Sequence, residues 1–555
     1  MRRWLSCVLV AIPCACSSPS AGDGGSSSGI PSTTTTGGES SAGTSVDATT
    51  TGATTSSSGP MGDTTDGLKL DLGLLPDLGG GDDTGPLDES TCELAAMSLT
   101  SAGCVFAPTV GSATTNLPWA VVAANTSGLV AANVTLFDLG GNPIESAVVD
   151  PGGLYTFVLA ANSPALVAHA IGSTTQIDDR VMRLESDLPV VAYQFSPYSS
   201  SQVATADASL LLPEHAWGTD YLVPSYHNSD FSDSWVTIVS LADDNDVTIE
   251  MPAAMVGATS PGAGIPGLGA GESHVVTLQS QEFARFVSPG GGVADLTGAR
   301  ITSTAPVAVV TGSPSMSLPG PGMNFYKDYL EEQVPPRVAW GTEIAVVKFR
   351  PRSDEPDLYR ILADADGTTI TIAGGYADEV TLDEGEFLEF LTPESFTVTA
   401  SDAVLVTHYM VSQDQASGPK NDLEYPGDFI SANCANPSQD TTELGDPAVS
   451  FVAPTEQYRY NYTFLTPETY AWDMVTITGP IADWGSIELD GAELPDPTPI
   501  AGSTLGFARF LVEDGPHDVR SATARFGLEV YGYDCRISYA YPGGMSLGEI
   551  NEPAG

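Results

Sequence analysis

The sequence predicts an all-β protein made of tandem β-sandwich-like repeat modules, preceded by one short helix and a disordered linker. Three observations indicate this class. A phrase of strands and turns recurs after about 120 residues. Its apolar runs are short and rich in β-branched side chains, and residues 17–90 lack the residues of a hydrophobic core. A propeller-like closure of the repeats is the alternative arrangement.

The repeated phrase opens with Trp217-Gly218-Thr219-Asp220 and again with Trp340-Gly341-Thr342-Glu343. Each opening is followed by two β-branched runs, at 236–241 and 247–249 in one copy and at 359–362 and 370–372 in the other. Branched side chains fit a pleated, half-buried surface, and the Asp-rich stretches between the runs suit tight turns. The pattern therefore predicts paired strands joined as hairpins.

Composition and spacing divide the chain into seven segments. These are a lipoprotein-type signal peptide at 1–16, a disordered linker at 17–90, β modules at 91–212, 213–336, 337–448 and 449–544, and a tail at 545–555. The linker is rich in Ser, Thr, Gly and Asp and cannot offset its ordering entropy by burial. The tail is expected to fray.

Two short helical segments are expected. Residues 92–99 are good helix formers after a Ser90-Thr91 cap, which predicts one helix at the start of the first module. Residues 326–334 are expected to contain one helical turn, ended by Pro335 and Pro336.

The N-terminus predicts export. Arg2 and Arg3 precede an apolar run at 4–12 that is too short to span a bilayer and has the size of a signal-peptide core. Cys16 follows the small Ala15 and is the expected lipid acceptor, with Cys14 as the alternative. The expected location is the cell envelope, as an outer-membrane or cell-surface lipoprotein; simple secretion is the alternative.

The charge balance restricts the partners. Acidic residues outnumber basic ones 70 to 19, which gives a formal charge of −51. This charge repels phosphate groups, so nucleic acid is not an expected partner, and membrane contact is expected only through the lipid anchor.

Four cysteines remain in the exported body. An even number in an oxidising compartment indicates two disulfides. Of the three connectivities, we favour Cys92 with Cys104 and Cys434 with Cys535. Free buried thiols are the alternative.

No catalytic motif stands in a fitting context. The sequence contains no His-Glu-x-x-His pair and no Gly-Lys-Ser/Thr phosphate loop. Gly-x-Ser-x-Gly occurs at 25–29 in the linker and at 544–548 at the start of the tail, and neither is followed by a predicted helix, as a nucleophile elbow is. We therefore expect no enzyme and no cofactor.

Calcium is the one metal that the sequence raises. Candidate ligands are the turn residues Asp243, Asp246, Asp364 and Asp366. A calcium loop needs a bidentate Glu at its twelfth position, whereas these turns place Ala254 and Gly375 there. Hairpin turns are therefore the favoured interpretation.

One loop has the composition of a contact surface. Residues 194–206 are rich in Ser and Tyr, and the candidate binding residues are Phe195, Tyr198 and Gln202. A purely structural connection is the competing interpretation.

Three phrases carry a family resemblance: 194–217, the run Glu331-Glu332-Gln333-Val334-Pro335-Pro336 before Trp340, and 530–533 with 538–544. In these phrases the chain resembles the IgGFc-binding protein N-terminal domain family, over roughly 91–544. The resemblance implies a binding or adhesion module, found in bacteria as tethered surface lipoproteins, and it brings no catalytic residues.

These observations together predict an exported, lipid-anchored surface protein that binds a protein or glycan partner at the cell surface. The alternatives are a secreted hydrolase that acts on polysaccharide and a passive envelope or matrix component.

Overall fold

The computed structural model describes residues 88–109, 117–138, 140–163, 174–179, 181–198, 205–227, 233–253, 259–289, 294–319, 326–374, 379–416, 444–468 and 470–553. They belong to one compact unit, Gly81–Gly555. The predicted signal peptide with Cys14 and Cys16, nearly all of the linker, and Cys434 lie outside the described residues. Within the described residues, no helix is long and apolar enough to cross a membrane.

The short helix α1 spans Cys92–Ser98, as the sequence predicts. Thr91 is its N-cap, and the Thr91 hydroxyl accepts a hydrogen bond from the backbone N–H of Leu94 at 3.3 Å. The helix ends at Leu99, which adopts a left-handed conformation. A disulfide joins Cys92 to Cys104, with a Cα–Cα distance of 5.7 Å, and so fixes the helix to the first strand.

Strands form nearly all of the remaining regular structure. The first sheet contains β1 (Gly103–Phe106), β2 (Trp119–Asn125), β3 (Ala132–Phe137), β4 (Pro143–Val149), β5 (Leu154–Leu159), β7 (Arg183–Ser196) and β8 (Asp207–Leu211). The second contains β6 (Gln176–Asp178), β9 (Gly218–Leu222), β10 (Trp235–Ser240), β11 (Asn245–Glu250), β12 (Ser273–Leu278), β13 (Glu282–Val287), β14 (Arg300–Met316) and β15 (Asp328–Gln333).

The third sheet contains β16 (Gly341–Val346), β17 (Asp357–Ala363), β18 (Thr368–Ala373), β19 (Glu379–Leu382), β20 (Phe387–Thr392), β21 (Phe396–Met410) and β22 (Ala448–Val452). The last part forms two sheets. One contains β23 (Asn461–Thr466), β25 (Ile487–Leu489), β26 (Ala492–Glu493) and β29 (Gly515–Ser521); the other contains β24 (Trp472–Pro480), β27 (Thr498–Pro499), β28 (Leu505–Val512), β30 (Gly527–Asp534) and β31 (Ile537–Pro542).

Each of the first three sheets folds over into two layers that share one long strand. In the second module, the first half of β14 pairs with β9 and β11, and its second half pairs with β10 and β15. β7 and β21 have the corresponding partners in the first and third modules. In the fourth module the long strand is divided into β29 and β30, which lie in separate sheets. The predicted all-β, sandwich-like class is therefore confirmed.

The Asp-rich turns do not close hairpins. β10 and β11 lie on opposite sides of β14, and β17 and β18 lie on opposite sides of β21. The hairpin prediction was wrong because local turn chemistry does not show that a distant long strand inserts between the two runs. Both runs pair antiparallel with the inserted strand, and with β13 and β12 on their other edges.

The four modules surround an axis. The last strand of each module, β8, β15, β22 or β31, contacts the last strands of its two neighbours. We call these the inner strands. This closed ring has the connectivity of the propeller-like alternative, but each of its four units is a two-layered sandwich.

The repeated Trp-Gly phrase occupies equivalent positions. The indole N–H of Trp217 donates to the carbonyl of Leu212 at 2.9 Å, and that of Trp340 donates to the carbonyl of Pro335 at 3.1 Å. The glycine that follows each Trp lies against a proline after the inner strand of its own module. The duplication in sequence is therefore a duplication in structure.

Two local predictions were wrong. Residues 328–333 form β15 rather than a helical turn, because both faces of this stretch are buried in the ring. The tail is also ordered: Leu547 is 2% exposed, and its N–H donates to the carbonyl of Leu99 at 2.5 Å. Ile550 donates to the carbonyl of Val338 at 2.9 Å, so the tail crosses the ends of several modules.

Candidate functional site

The predicted contact loop begins inside the fold. Phe195 belongs to β7, is 2% exposed and packs its ring against Tyr539 and Tyr541. Phe195 therefore cannot serve as a surface contact, and that prediction was wrong. The reason is the length of β7, which continues through Ser196 into the ring interior.

Tyr198 lies at the point where the chain leaves the ring. Its side chain is partly exposed, and its backbone N–H donates to the carbonyl of Pro118 at 2.7 Å. Burial raises the pKa of the Tyr198 hydroxyl, and the nearby Glu468 carboxylate raises it further. Gln202 lies outside the described residues.

The connections that lead into the inner strands meet at one end of the ring. The N–H of Ala206, before β8, donates to Asp328 at the start of β15 at 2.5 Å. Ser538, near the start of β31, donates to Asp328 at 3.4 Å and accepts from the N–H of Asp446, before β22, at 2.9 Å. The four inner strands therefore start at the same end. Its described residues, called the loop face below, are 197–198, 205–206, 317–319, 326–327, 411–416, 444–446 and 535–536.

Asp207 is the centre of this end of the ring. Its carboxylate accepts backbone hydrogen bonds from all four inner strands: from Ala208 at 2.9 Å, Ala540 at 3.2 Å, Glu331 at 3.3 Å and Val449 at 3.3 Å. These N–H groups are inside the protein, where each needs an acceptor. A single side chain therefore connects all four modules.

Further buried carboxyl groups surround Asp207. Burial raises the pKa of Asp207 and of Asp328 well above the usual range, and neighbouring acids add to the effect. Burial also raises the pKa of Asp446 to about 7 and that of Glu331 to about 8. Asp207 and Asp328 are buried, so a polysaccharide could not reach them as it would reach the paired acids of a hydrolase.

Sequence reasoning missed this cluster. Asp207 and Asp328 are 121 positions apart by number and resemble ordinary turn residues in an acidic chain. In the sequence, the two residues share one feature: each lies immediately before or at the start of an apolar run that follows a long strand. This feature does not show that the two carboxyl groups are close, because the fold alone brings the inner strands together.

A second buried polar cluster joins the third and fourth modules. His408 lies between Asp357, at 2.9 Å from Nε2, and Glu529, at 3.1 Å from Nδ1. Lys348 Nζ lies 3.0 Å from the other oxygen of Asp357, and its side chain is almost fully buried. Burial acts to raise the pKa of Asp357, but Lys348 and His408 outweigh it and lower the pKa to about 2. Burial lowers the pKa of His408, but the Glu529 and Asp357 carboxylates outweigh burial and raise the pKa above its usual value.

The calcium candidates take part in contacts within the protein. Asp243 accepts from the N–H of Ser280 at 3.1 Å, and Asp246 accepts from the hydroxyl of Thr277 at 2.6 Å. Asp366 accepts from the N–H of Glu384 at 3.1 Å. Asp364 is buried against the guanidinium of Arg337 at 2.5 Å. In the described part of the chain, no group of three or more His, Cys, Asp or Glu side chains is arranged to hold a metal ion.

A narrow crevice runs between the third and fourth modules. It is lined in part by Phe451, Tyr458, Leu528 and Glu529 and leaves a free volume of about 30 Å³. This volume suits about one water molecule and is far below that of a small-molecule pocket. The alternative contact surface is the loop face, whose described residues are buried or partly exposed.

One family model matches more than half of the chain. The model of the family described as "IgGFc binding protein" matches residues 207–532. The chain belongs to this family. The match begins at the central Asp207 and includes the second and third modules and most of the fourth.

Other comparisons add little. No curated protein matches the chain. Among solved structures, "Biofilm associated protein - BSP domain" is similar at 7% identity with a TM-score of 0.13, over 86% of this chain and 100% of that chain. A likeness at this level supports no structural argument.

Proposed function

We propose that this protein is a surface binding protein that contacts an extracellular protein or glycan through its loop face. The observation that carries the proposal is the arrangement of the ring. Connections from different modules gather at one end, where a large partner can touch several of them at once. Membership in the IgGFc-binding family supports a binding role.

The distribution of charge narrows the class of partner. Among the described residues, six Arg and Lys side chains are buried: Arg285, Arg337, Lys348, Arg352, Arg360 and Arg459. Eleven Asp and Glu side chains are buried as well, so the exterior keeps most of the acidic excess that gives the formal charge of −51. Repulsion between like charges disfavours nucleic acid and favours partner surfaces that are neutral or basic.

Binding is tested with a panel of immobilised extracellular proteins, including immunoglobulin G Fc fragments, and with a glycan array. Tyr198→Ala removes a partly exposed aromatic group at the loop face and is expected to weaken binding at least tenfold. Tyr460→Ala is the matched control, since Tyr460 is partly exposed beside the ordered tail, at the other end of the ring. Equal loss in both variants, or no saturable binding to any member of the panel, would refute the proposal.

We also propose that Cys16 carries a lipid that holds the body at the outer surface of the cell envelope. The short apolar run before Cys16 and the Ser/Thr/Gly-rich segment after it support this. Cys16→Ser is expected to release the protein from membranes and to abolish incorporation of a labelled acyl chain, while Cys14→Ser leaves both unchanged. Membrane association of Cys16→Ser would contradict the anchor.

A further inference from the structure

Lys348 is a lysine placed inside the protein among carboxyl groups. Its side chain, with those of Glu355 and Asp357, is no more than 3% exposed. Its Nζ lies 3.0 Å from Asp357 Oδ1 and 3.8 Å from Glu355 Oε1. A lysine is almost never fully buried without such a partner, because removing its charge from water is costly. The amine and the carboxyl group are therefore held together in a dry site.

The second oxygen of Asp357 has a different environment. Oδ2 accepts a hydrogen bond from the backbone N–H of Phe349 at 2.9 Å and lies 2.9 Å from His408 Nε2. The two donors on Oδ2 withdraw electron density from the carboxyl carbon of Asp357, and the Lys348 amine lies beside Oδ1. This is the arrangement that stabilises negative charge on an oxygen during acyl transfer.

We propose that Lys348 and Asp357 are joined by an intramolecular isopeptide bond. Within the ion pair one proton passes from the Lys348 ammonium to Asp357 Oδ1, and the neutral Nζ attacks Cγ of the neutral carboxyl group. Negative charge that develops on Oδ2 is held by the Phe349 N–H and by His408. Glu355 takes a second proton from the attacking nitrogen and passes it to Oδ1, which leaves as water, and the third proton stays on the amide nitrogen. No oxidant, reductant or cofactor is required.

The backbone keeps the reacting groups in place. Lys348 follows β16, in one layer of the third module, and Asp357 begins β17, in the other layer. The N–H of Lys348 donates to the Ser395 hydroxyl at 3.2 Å, and its carbonyl accepts from Arg509 Nη2 at 2.6 Å. Holding two groups in fixed proximity can lower the free-energy barrier to their reaction substantially. The bond would join the two layers at the junction with the fourth module.

A permanent buried ion pair is the competing interpretation, since it uses the same atoms. The two differ in mass, because amide formation removes one water. The test is intact mass spectrometry of the full exported chain after reduction of disulfides, followed by a tryptic map. The expected mass is lower than the sequence mass by one water. Trypsin should release a branched peptide in which 338–352 is joined to 353–360.

Matched variants assign the bond. Lys348→Arg keeps a positive charge without a reactive amine, and Asp357→Ala removes the carboxyl group, so both should have the full mass. Glu355→Gln keeps both reacting groups and removes the proton carrier, so the linked fraction should fall severalfold. Lys327→Arg, at the loop face, should leave the water loss unchanged.

The outcomes are decisive even if a variant fails to fold. A branched peptide from the wild-type chain supports the bond by itself. A wild-type chain of full mass that yields the free peptide 338–348 overturns it and leaves the ion pair. A water loss that persists in folded Lys348→Arg also overturns it, because the water then comes from another site.

Discussion

Replacing Asp207 by alanine tests whether one carboxylate holds the ring together. The variant removes the acceptor of four buried N–H groups, three of which belong to other modules. Each buried donor left without an acceptor costs about 1–3 kcal/mol. The three donors from other modules alone give a loss of ~3–9 kcal/mol on this basis.

Two features place the expected value in the lower half of that range. The three bonds between modules are long, at 3.2 to 3.3 Å. Removing the carboxyl group also relieves its repulsion from the neighbouring Glu332, which helps to raise the pKa of Asp207 beyond the effect of burial. We expect Asp207→Ala to lower the free energy of unfolding by ~3–5 kcal/mol. Asp207→Asn, which retains one acceptor oxygen, should lose less.

The measurement is urea unfolding followed by circular dichroism and tryptophan fluorescence, with limited proteolysis between modules as a second readout. Asp402→Ala is the control, since Asp402 is exposed and its carboxylate contacts only the adjacent Ser401 hydroxyl among the described residues. An exposed substitution of this kind should stay within ~0.5 kcal/mol of the wild type. If Asp207→Ala unfolds at the same urea concentration as Asp402→Ala and shows no additional cleavage between modules, the central role of Asp207 is refuted.

Three further predictions concern the ring and its seams. Burial raises the pKa of the Glu331 carboxyl from 4.5 to about 8. The contribution of Glu331 to the free energy of unfolding should therefore be fully present below pH 4.5 and should fall by up to ~5 kcal/mol as the pH rises toward 8. In Glu331→Gln the free energy of unfolding should change less with pH. If the urea midpoint shifts equally between pH 5 and pH 8 in the variant and the wild type, the prediction is wrong. In Gly341→Ala the added Cβ would lie 2.5 Å from Pro454 Cβ, so thermal unfolding should show a loss of ~1–3 kcal/mol, whereas Gly485→Ala, in open space, should change little. Leu547→Ala should cost ~2–5 kcal/mol in the same assay, and no change would mean that the tail frays after all.

The duplicated phrases were the most informative part of the sequence. The two Trp-Gly openings predicted equivalent units, and Trp217 and Trp340 make the same hydrogen bond five residues back. This succeeds because part of the signal is local: the strand start and the indole hydrogen bond lie close in sequence. The cap at Thr91 and the helix after it were predictable for the same reason. The proline that each glycine approaches lies more than 110 positions later.

The predicted site was less accurate because exposure is not a local property. Phe195 lies in a polar, Ser- and Tyr-rich stretch, yet the ring closes over it and buries it against Tyr539. Residues 328–333 contain four acidic or amide side chains that would suit a solvated turn, but they pair with β14 in the interior. In both cases a strand that is distant in sequence buries the residues, and the local pattern does not reveal that strand.

The sequence by itself determined the strand-rich class, the repetition, the cap of α1 and the acidic charge, since each depends on neighbours in the chain or on composition. Only the tertiary structure decided that long strands insert between the repeated runs, that four inner strands close around Asp207, and that Lys348 faces Asp357 in a dry site. These features depend on contacts between segments that are far apart in sequence, and side chains acquire their burial, hydrogen bonds and pKa values only when those segments meet.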